Sequence, residues 1–334
     1  MQYIVLDLEW NQGEETKKRM KGLLFEIIEI GAVKLNAHFE VIDRFSELIR
    51  PEVFRRMHGM TQRLTGIRME ELEKNGRPLA DVMREFFAWC GEDYRFCTWG
   101  DLDLTELQRN LEYFDLDNPI PWPVYFYDVQ KLYRLQYGQK KEGKALETAI
   151  EELRLEKPEG LPFHRAAADA WYTARVLQRI DMARLGGMIS VDYYHLPENR
   201  SEELYLRFET YTKYVSRAFT TPEKAMKEKE VLATRCPVCG RNCKRWIPWF
   251  TTHNRNYLCG CSCQEHGWMR GKIRLKKQYD GSVYVVRTVR FSDSEEMEKL
   301  YHKQEEIRKK RWKKRHSDQR KQGAAGRVQS DAVE

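Results

Sequence analysis

The stretch Tyr3-Ile4-Val5-Leu6-Asp7-Leu8-Glu9-Trp10 joins an apolar run to two carboxylates that are separated by one residue. A short apolar run of this kind predicts a β-strand. Residues i and i+2 of a strand point to the same face, which places Asp7 and Glu9 side by side, about 6–7 Å apart. This spacing suits ligands that straddle two divalent cations held about 3.5–4 Å apart. An ordinary strand with two solvent-facing acids has the same pattern, so the interpretation depends on the rest of the chain.

The elements that follow predict an α/β fold with a mixed five-stranded sheet and flanking helices. Strands are expected at 26–35 and 41–49, and the connections leave no room for a crossover helix, which favours antiparallel pairing of the first three strands. Helical patterns then alternate with strands at 94–100 and 124–127, as in an α/β domain. Residues 1–185 are predicted to form this domain.

The rest of the chain is predicted to form three further segments. Residues 186–230 mix aromatic with charged residues and are interpreted as a linker with one charged helix over 201–219. Residues 231–291 contain a cysteine cluster and are expected to form a small zinc-ribbon-like β domain. Residues 292–334 predict a basic tail, in which a charged helix over 292–320 runs into a polar, disordered end.

The charge of the chain is uneven. Its formal net charge is +7, and the excess rises toward the basic run Arg308–His316. Such a surplus suggests a polyanionic partner, although a solvated tail has the same composition. The chain has no run of about 18 apolar residues, so no membrane span is expected. Asp7 and Glu9 come too early for a secretory signal peptide, so a cytoplasmic protein is predicted.

Two further acidic segments can complete a metal site. One is Trp99-Gly100-Asp101-Leu102-Asp103, after the fourth strand, in which Asp101 and Asp103 are alternative ligands. The other runs from His164 to Asp169 at the head of a helix. Five residues of helix turn through about 500°, so His164 and Asp169 converge only if His164 lies in the loop before the helix. A lone loop histidine is more often a surface or capping residue, so only the full combination indicates an active site.

That combination resembles a known superfamily. The order and spacing match the DEDDh branch of the DnaQ-like 3'–5' exonucleases, which include RNase T, at Asp7, Glu9, Asp103, His164 and Asp169. The resemblance covers residues 1 to about 182 and implies an RNase H-like fold. It favours Asp103 over Asp101. The motifs Asp7-Leu8-Glu9-Trp10 and Trp99-Gly100-Asp101 are most similar to the subgroup of the sporulation inhibitor KapD and the histone-mRNA exonucleases.

The resemblance implies a metal-dependent 3'–5' exonuclease that releases nucleoside 5'-monophosphates from single-stranded RNA or DNA. The implied ligands of two Mg²⁺ or Mn²⁺ ions are Asp7, Glu9, Asp103 and Asp169. Hard cations suit this reaction because a phosphodiester gathers negative charge in its transition state. His164 is the implied general base, which takes the proton of the attacking water.

Substrate contacts are implied at Leu8, Trp10, Leu64 and Ile67. Many relatives have Thr where this chain has Trp10, so contact with the terminal sugar is expected from the backbone there. Leu64 and Ile67 are expected to wedge against the terminal base, or alternatively to pack beneath a loop.

The cysteines predict a second metal site. Six of the eight lie between Cys236 and Cys263, and in a reducing compartment such clustering indicates metal rather than disulfides. The preferred ligands of one structural Zn²⁺ are Cys236, Cys239, Cys263 and His266. Cys259 and Cys261 are competing candidates, and Cys243 is a weaker one.

Aromatic and basic residues interleave in the same segment: Lys244, Arg245, Trp246, Trp249, Arg255, Tyr257, Trp268, Arg270, Lys272 and Arg274. Such a surface can stack bases and neutralise phosphates, but it can equally be a small core with a solvated face. Two other functions stay open. One is a nucleic-acid- or protein-binding regulator with little turnover, and the other is an RNase H-type endonuclease, which does not need His164.

Overall fold

The computed structural model describes residues 1–13, 22–138, 145–252, 256–278 and 280–330. The chain forms two compact units, Met1–His195 (the first unit) and Leu196–Glu334 (the second unit). Within the described ranges, no helix combines the length and the apolar composition that crossing a bilayer requires.

The first unit alternates strands and helices around one sheet. Its elements are β1 (Gln2–Asn11), β2 (Glu26–Leu35), β3 (Val41–Leu48), α1 (Gly59–Thr65), α2 (Met69–Asn75), α3 (Leu79–Cys90), β4 (Tyr94–Thr98), α4 (Leu102–Tyr113), β5 (Tyr125–Asp128), α5 (Val129–Gln136), α6 (Leu146–Glu152), α7 (Ala166–Leu177), α8 (Met182–Leu185) and β6 (Ser190–Val191). The strand order is β3-β2-β1-β4-β5-β6, with β1, β2 and β3 antiparallel and with β4 and β5 parallel to β1. The predicted mixed α/β fold is confirmed. The sixth strand, β6, pairs antiparallel with β5 and is too short to show a sequence period.

The central strand β1 sorts its side chains between two cores. Val5 belongs to the core covered by α5, α6 and α7, whereas Leu6 and Leu8 belong to the core under α3 and α4. Because side chains alternate along a strand, Asp7 and Glu9 continue the face of Val5. Both acids therefore leave β1 on the side where α7 packs.

The second unit is built on an antiparallel sheet. Its elements are β7 (Leu204–Arg207), β8 (Tyr211–Val215), α9 (Pro222–Ala225), α10 (Lys229–Leu232), β9 (Lys244–Thr251), β10 (Asn256–Cys263), β11 (Gly267–Lys277), β12 (Val283–Phe291) and α11 (Ser294–Ser330). The strand order is β7-β8-β12-β11-β10-β9, and every neighbouring pair is antiparallel. The sheet is larger than the ribbon that the sequence predicts over 231–291.

The structure differs from the predicted linker and charged helix of residues 186–230. The start of this segment supplies β6 of the first sheet, and β7 and β8 form part of the second. Tyr211, Tyr214 and Val215 are buried, and β8 pairs with β12. Aromatic and β-branched residues favour strands on a buried surface, and this pairing overrides the helical pattern of the surrounding charges.

The C-terminal helix α11 is anchored at its first turns. Met297 and Leu300 pack in a small core with Ile247, Phe250 and Leu258. The helix extends to Ser330, beyond the predicted charged helix and into the segment predicted to be disordered. Its sequence is rich in Lys, Arg, Glu and Gln, which form helices readily. The last four residues of the predicted tail lie outside the described residues.

Candidate active site and metal centre

The end of β1 carries Asp7 and Glu9 into a site that several elements share. β4 pairs with β1 only as far as Val5, so the rest of that edge of β1 faces other elements. On the opposite edge, β2 continues alongside, with Asp7 opposite Gly31 and Glu9 opposite Glu29. Both acids of β1 are partly buried.

Asp103 reaches β1 from the first turn of α4. Its Oδ1 accepts a hydrogen bond of 3.2 Å from the backbone N–H of Leu8, on the stretch of β1 that β4 does not reach. Asp103 is buried, whereas Asp101, which precedes the helix, is exposed. This geometry favours Asp103 over Asp101, the alternative that the sequence left open.

Helix α7 packs very close to β2. A Cβ atom added to Gly31 would lie 2.1 Å from the backbone carbon of Ala166, so no larger residue fits there without moving the helix. The short side chains of Ala166 and Ala168 are buried in the same contact. This close approach carries Asp169, in the first turn of α7, toward the acids of β1.

His164 lies in the loop immediately before α7, as its convergence with Asp169 requires. Its backbone has the left-handed value φ = 63°, and its N–H donates to Asp169 Oδ2 at 3.2 Å. Ligand atoms of Glu9, His164 and Asp169 lie within 4.8 Å of one another. The histidine side chain is exposed, so water and substrate can reach it.

Crowding and burial disfavour the charged form of all four carboxyl groups. Burial raises the pKa of Asp7 well above its usual range, and the charges of Asp103, Asp169 and Glu9 raise it further. Burial raises the pKa of Glu9 to about 8, with Asp169 adding to the effect. Burial likewise raises the pKa of Asp103 to about 7, against the hydrogen bond from Leu8, and that of Asp169 to about 6.

Glu29 and Arg165 support the site, and the sequence analysis did not identify them. Arg165 donates from Nη2 and Nε to Glu29 Oε1 at 2.7 and 3.0 Å, and the N–H of Ala166 donates to Glu29 Oε2 at 3.0 Å. The buried carboxylate of Glu29 thus holds both residues that follow His164. The available signal was the acid at position 29 inside the apolar run of β2.

The acidic cluster fits divalent cations. Among the described residues, Asp169 Oδ1 is buried and accepts no hydrogen bond. Burial is the largest cause of the raised pKa values, and neighbouring carboxylates add to it, so a cation beside these groups would favour their charged forms. Carboxylate oxygens are the ligands that Mg²⁺ and Mn²⁺ prefer. Glu9 and Asp169 thus have ligand atoms close enough to share a cation, and the charges of Asp103 and Asp169 act on the neighbouring Asp7.

The four expected substrate contacts differ in accessibility. Leu64, on α1, is 51% exposed, whereas Ile67 is 0% exposed and packs with Ile28 and Leu72. The wedge prediction is therefore wrong for Ile67, because its side chain belongs to the core beneath the loop. The side chain of Leu8 is buried as well, and its N–H is bound to Asp103, so neither group faces a substrate.

Trp10 and α1 are tied to the end of β1. The Trp10 ring packs against Phe25 with centroids 5.4 Å apart, so the side chain faces the protein, in line with the expected backbone contact. Thr61 Oγ1 of α1 donates to the carbonyl of Trp10 at 3.3 Å. Asn11 accepts from the N–H of His58, the residue that caps α1, at 2.9 Å. These bonds fix the exposed Leu64 relative to the acids.

The predicted cysteine ligands also converge. Ligand atoms lie within 4.8 Å of one another in the group Cys236, Cys239, Cys263 and His266. Cys239 Sγ lies 3.6 Å from Cys263 Sγ, which lies 3.5 Å from His266 Nδ1. The edges of a tetrahedron with ordinary zinc–sulfur and zinc–nitrogen bonds measure about 3.4–3.8 Å. The group thus has the size and chemistry of a tetrahedral zinc site.

Local structure favours metal binding by this group. The hydrogen bond with His266 lowers the pKa of Cys263 to about 6, which favours the thiolate, whereas burial raises that of Cys236 to about 11. Among the described residues, the group of converging ligand atoms does not include the competing candidates Cys259 and Cys261 or the weaker candidate Cys243. Cys243 and Cys261 nevertheless pack in the same small core as Cys236 and Cys263. Cys243 Sγ, for example, contacts Met269 Sδ at 3.6 Å.

An α/β fold with clustered acids at the end of its central strand is suited to metal-dependent cleavage of phosphodiesters. The RNase T family, described as exonucleases, matches residues 4–177, which is just over half of the chain. The chain belongs to this family, and the predicted DEDDh exonuclease superfamily is confirmed. No curated protein sequence matches the chain.

Several solved structures are similar to the chain. The nuclease domain of 3'hExo, a DEDDh family member bound to rAMP, has 24% identity and a TM-score of 0.47 over 57% of this chain and 96% of its own. A full-length 3'-exonuclease has 22% identity and a TM-score of 0.47 over 57% and 84%. The Escherichia coli exonuclease I complex with single-stranded DNA has 17% identity and a TM-score of 0.45 over 55% and 41%.

Proposed function

We propose that this nuclease is a metal-dependent 3'–5' exonuclease that releases nucleoside 5'-monophosphates from single-stranded RNA or DNA. The observation that carries the proposal is the convergence of four carboxyl groups from β1, α4 and α7, all with raised pKa values. Such a cluster is unfavourable alone and favourable around cations, and His164 stands at its exposed side.

Two Mg²⁺ or Mn²⁺ ions bound here would neutralise the phosphate and orient the attacking water and the leaving oxygen. The residues that would hold them are Asp7, Glu9, Asp103 and Asp169. The chain fixes these carboxylates before the reaction, since Asp103 is bound to the backbone of Leu8 and Asp169 to that of His164. Ligands placed in advance need little reorganisation during the reaction.

His164 is proposed to take the proton of the attacking water. Its imidazole is exposed and lies within 4.8 Å of the ligand atoms of Glu9 and Asp169, so a water bound beside those acids is within its reach. An imidazole accepts protons near neutral pH. The left-handed backbone of His164 is uncommon for a residue with a side chain, and its N–H bond to Asp169 stabilises that conformation.

Leu64 is proposed to pack against the terminal base. It is exposed at the end of α1, and Asn11 and Thr61 tie that helix to the last residues of β1. An apolar residue on a helix fixed to the end of β1 would favour the terminus of a nucleic-acid strand over an internal position, because a terminal base can be capped by stacking. This contact supports cleavage from one terminus.

Cys236, Cys239, Cys263 and His266, here called the metal group, are proposed to bind one structural Zn²⁺ through three sulfurs and one nitrogen. A small unit gains folding free energy from such a metal, and a site with four protein ligands leaves no open position for catalysis. All eight cysteines have unpaired thiols, which suits the reducing cytoplasm as the proposed location.

The test uses matched 5'-labelled RNA and DNA oligonucleotides, each with either a free 3'-hydroxyl or an inverted 3'-terminal nucleotide, with Mg²⁺ or Mn²⁺. The proposal expects stepwise shortening and nucleoside 5'-monophosphates from the free strands and no cleavage of the blocked ones. Internal cuts in blocked strands would instead indicate an endonuclease. Binding without products would indicate a regulator with little turnover.

A further inference from the structure

The second unit presents two tryptophans on one face of its sheet. Ser262 of β10 pairs with Lys244 of β9 on one side and with Trp268 of β11 on the other, so the three side chains form a row across the strands. The pairing of β9 with β10 shifts register at Trp246, and the contacts of Trp246 with Ser262 and Trp268 place its ring on the same face as that row. The rings of Trp246 and Trp268 have centroids 6.2 Å apart and planes inclined by 63°.

These two rings are more exposed than the other aromatic residues of the interleaved segment. Trp246 is 56% exposed and Trp268 is 38% exposed. Trp249 and Tyr257, by contrast, pack against the core of the second unit, and Arg255 lies outside the described residues. The structure thus separates the segment into core aromatics and a surface pair, and an exposed aromatic pair is a feature of binding sites.

The exposed rings are held in position. Trp246 Nε1 donates to Ser262 Oγ at 2.8 Å, which fixes the orientation of the indole. Lys244 Nζ lies over one face of the Trp246 ring, 4.1 Å from its centre, in a cation–π contact. A ring that is already oriented loses little conformational entropy when a ligand stacks on it.

The charge of the second unit favours an anionic partner. Residues 196–334 contain 31 Lys and Arg against 18 Asp and Glu, a net charge of +13. Residues 1–195 contain 27 against 33, a net charge of −6. The acid beside the metal group, Glu265, is paired with Arg241 at 2.7 Å. The net positive charge of the chain therefore comes entirely from the second unit, which carries Trp246 and Trp268.

We propose that Trp246, Trp268, Lys244 and Ser262 form a platform that binds single-stranded nucleic acid by base stacking, with Lys244 beside a phosphate. Every base has a π-face, so the platform would accept many sequences. The proposal rests on the proposed function, because it takes the same class of substrate, but it concerns a separate site in the second unit that needs no turnover.

The platform is built on the same strands as the metal group. Ser262 precedes the ligand Cys263, and Trp268 follows the ligand His266 by two residues. A metal at that group would fix the ends of β10 and β11 and, with them, the spacing of the two rings. A metal bound there would therefore position the nucleic-acid platform as well as stabilise the fold.

Binding is measured in an Asp7→Asn background without added Mg²⁺ or Mn²⁺, so that the strand is not degraded. Fluorescence anisotropy reports the affinity for a 15-nucleotide single strand and for an abasic strand of the same length and charge. Trp246→Ala and Trp268→Ala should each weaken binding of the base-containing strand about 5- to 150-fold, the equivalent of about 1–3 kcal/mol per stacked base. Binding of the abasic strand should stay unchanged. Trp246→Phe should retain most of the affinity.

The matched control is Trp122→Ala, which removes an exposed tryptophan of the first unit and should leave binding unchanged. Zinc content, measured on each variant, confirms that the second unit is intact. Equal affinities of the background protein and both platform variants for the base-containing strand would overturn the proposal, as would equal loss with the abasic strand. Nucleotide release by the wild-type chain is scored separately, so failure of the exonuclease proposal and failure of the platform are distinguishable.

Discussion

Replacement of Glu29 by Gln should slow the enzyme while leaving it folded. The Glu29 carboxylate accepts hydrogen bonds from Arg165 and from the N–H of Ala166, and these two residues directly follow His164. Gln has nearly the same shape but lacks the charge and one acceptor oxygen. The loop that carries His164 and the start of α7 that carries Asp169 should therefore lose their anchor on β2.

The size of the effect follows from the contacts. Hydrogen bonds to a charged group contribute roughly 1.5–3 kcal/mol, but Arg165 is 32% exposed and solvent recovers part of that, so we expect a loss of about 1–2 kcal/mol in the free energy of unfolding. A displacement of reacting groups by about 1 Å can cost a factor of 100 in rate. We expect kcat to fall about 10- to 100-fold with little change in KM, because Glu29 does not touch substrate.

The assay compares kcat, KM and urea unfolding with those of Glu203→Gln. Glu203 pairs with Arg217 in the second unit, and the two side chains are 4% and 25% exposed, close to the 4% of Glu29 and the 32% of Arg165. Both variants should lose similar stability, but only Glu29→Gln should lose turnover of a short oligonucleotide. An unchanged kcat for Glu29→Gln, or an equal loss for Glu203→Gln, would refute the positioning role.

Three further changes test other parts of the site. His164→Ala should lower the rate about 10²–10⁴-fold with metal binding largely kept, and a slight loss across neutral pH would mean that another group activates the water. Without added Mg²⁺ or Mn²⁺, the melting temperature should fall as pH rises from about 4 to about 8. The native state keeps protons on Asp169, Asp103 and Glu9 up to their pKa values of about 6, 7 and 8, whereas the unfolded chain loses them near pH 4. A melting temperature that rises toward pH 8 would contradict this. Cys236→Ser should abolish zinc binding and weaken the binding of long single strands, while cleavage of short oligonucleotides continues. The difference in affinity between wild type and variant should shrink at high salt. Equal affinity of the zinc-free variant and wild type for a long strand would exclude a role of the second unit in substrate capture.

The placement of the candidate acids could be predicted from the sequence to the extent that strand geometry and chain order determine it. Asp7 and Glu9 share a face by the period of two, and the loop position of His164 follows from the angle that a helix turns between it and Asp169. The structure favours Asp103 over Asp101 because Asp103 accepts a hydrogen bond from the N–H of Leu8, just beyond the point where the pairing of β1 with β4 ends. No local pattern in the sequence specifies the residue at which the pairing between β1 and β4 ends.

The features that the sequence did not reveal depend on long-range pairing. Glu29 acquires its role from Arg165, which lies 136 residues away in the chain. Ile67 is apolar and follows a loop, so its sequence fits a wedge and a core residue equally well, and only the packing with Ile28 decides. Residues 211–215 form a strand because β12 accepts them, which a window of local charges does not indicate.

The most direct test of the metal-dependent site is a titration of Mn²⁺ into wild type and Asp7→Asn, with release of nucleoside 5'-monophosphate from a 3'-hydroxyl single strand as the readout. Asp7 lies among Glu9, Asp103 and Asp169, so its carboxylate should be needed to hold the cations, while the amide relieves the repulsion and preserves the fold. We expect wild-type release to rise from zero and saturate with Mn²⁺, and no release from Asp7→Asn at any concentration. Release without added Mn²⁺ or Mg²⁺, or wild-type turnover by Asp7→Asn, would contradict the proposed site.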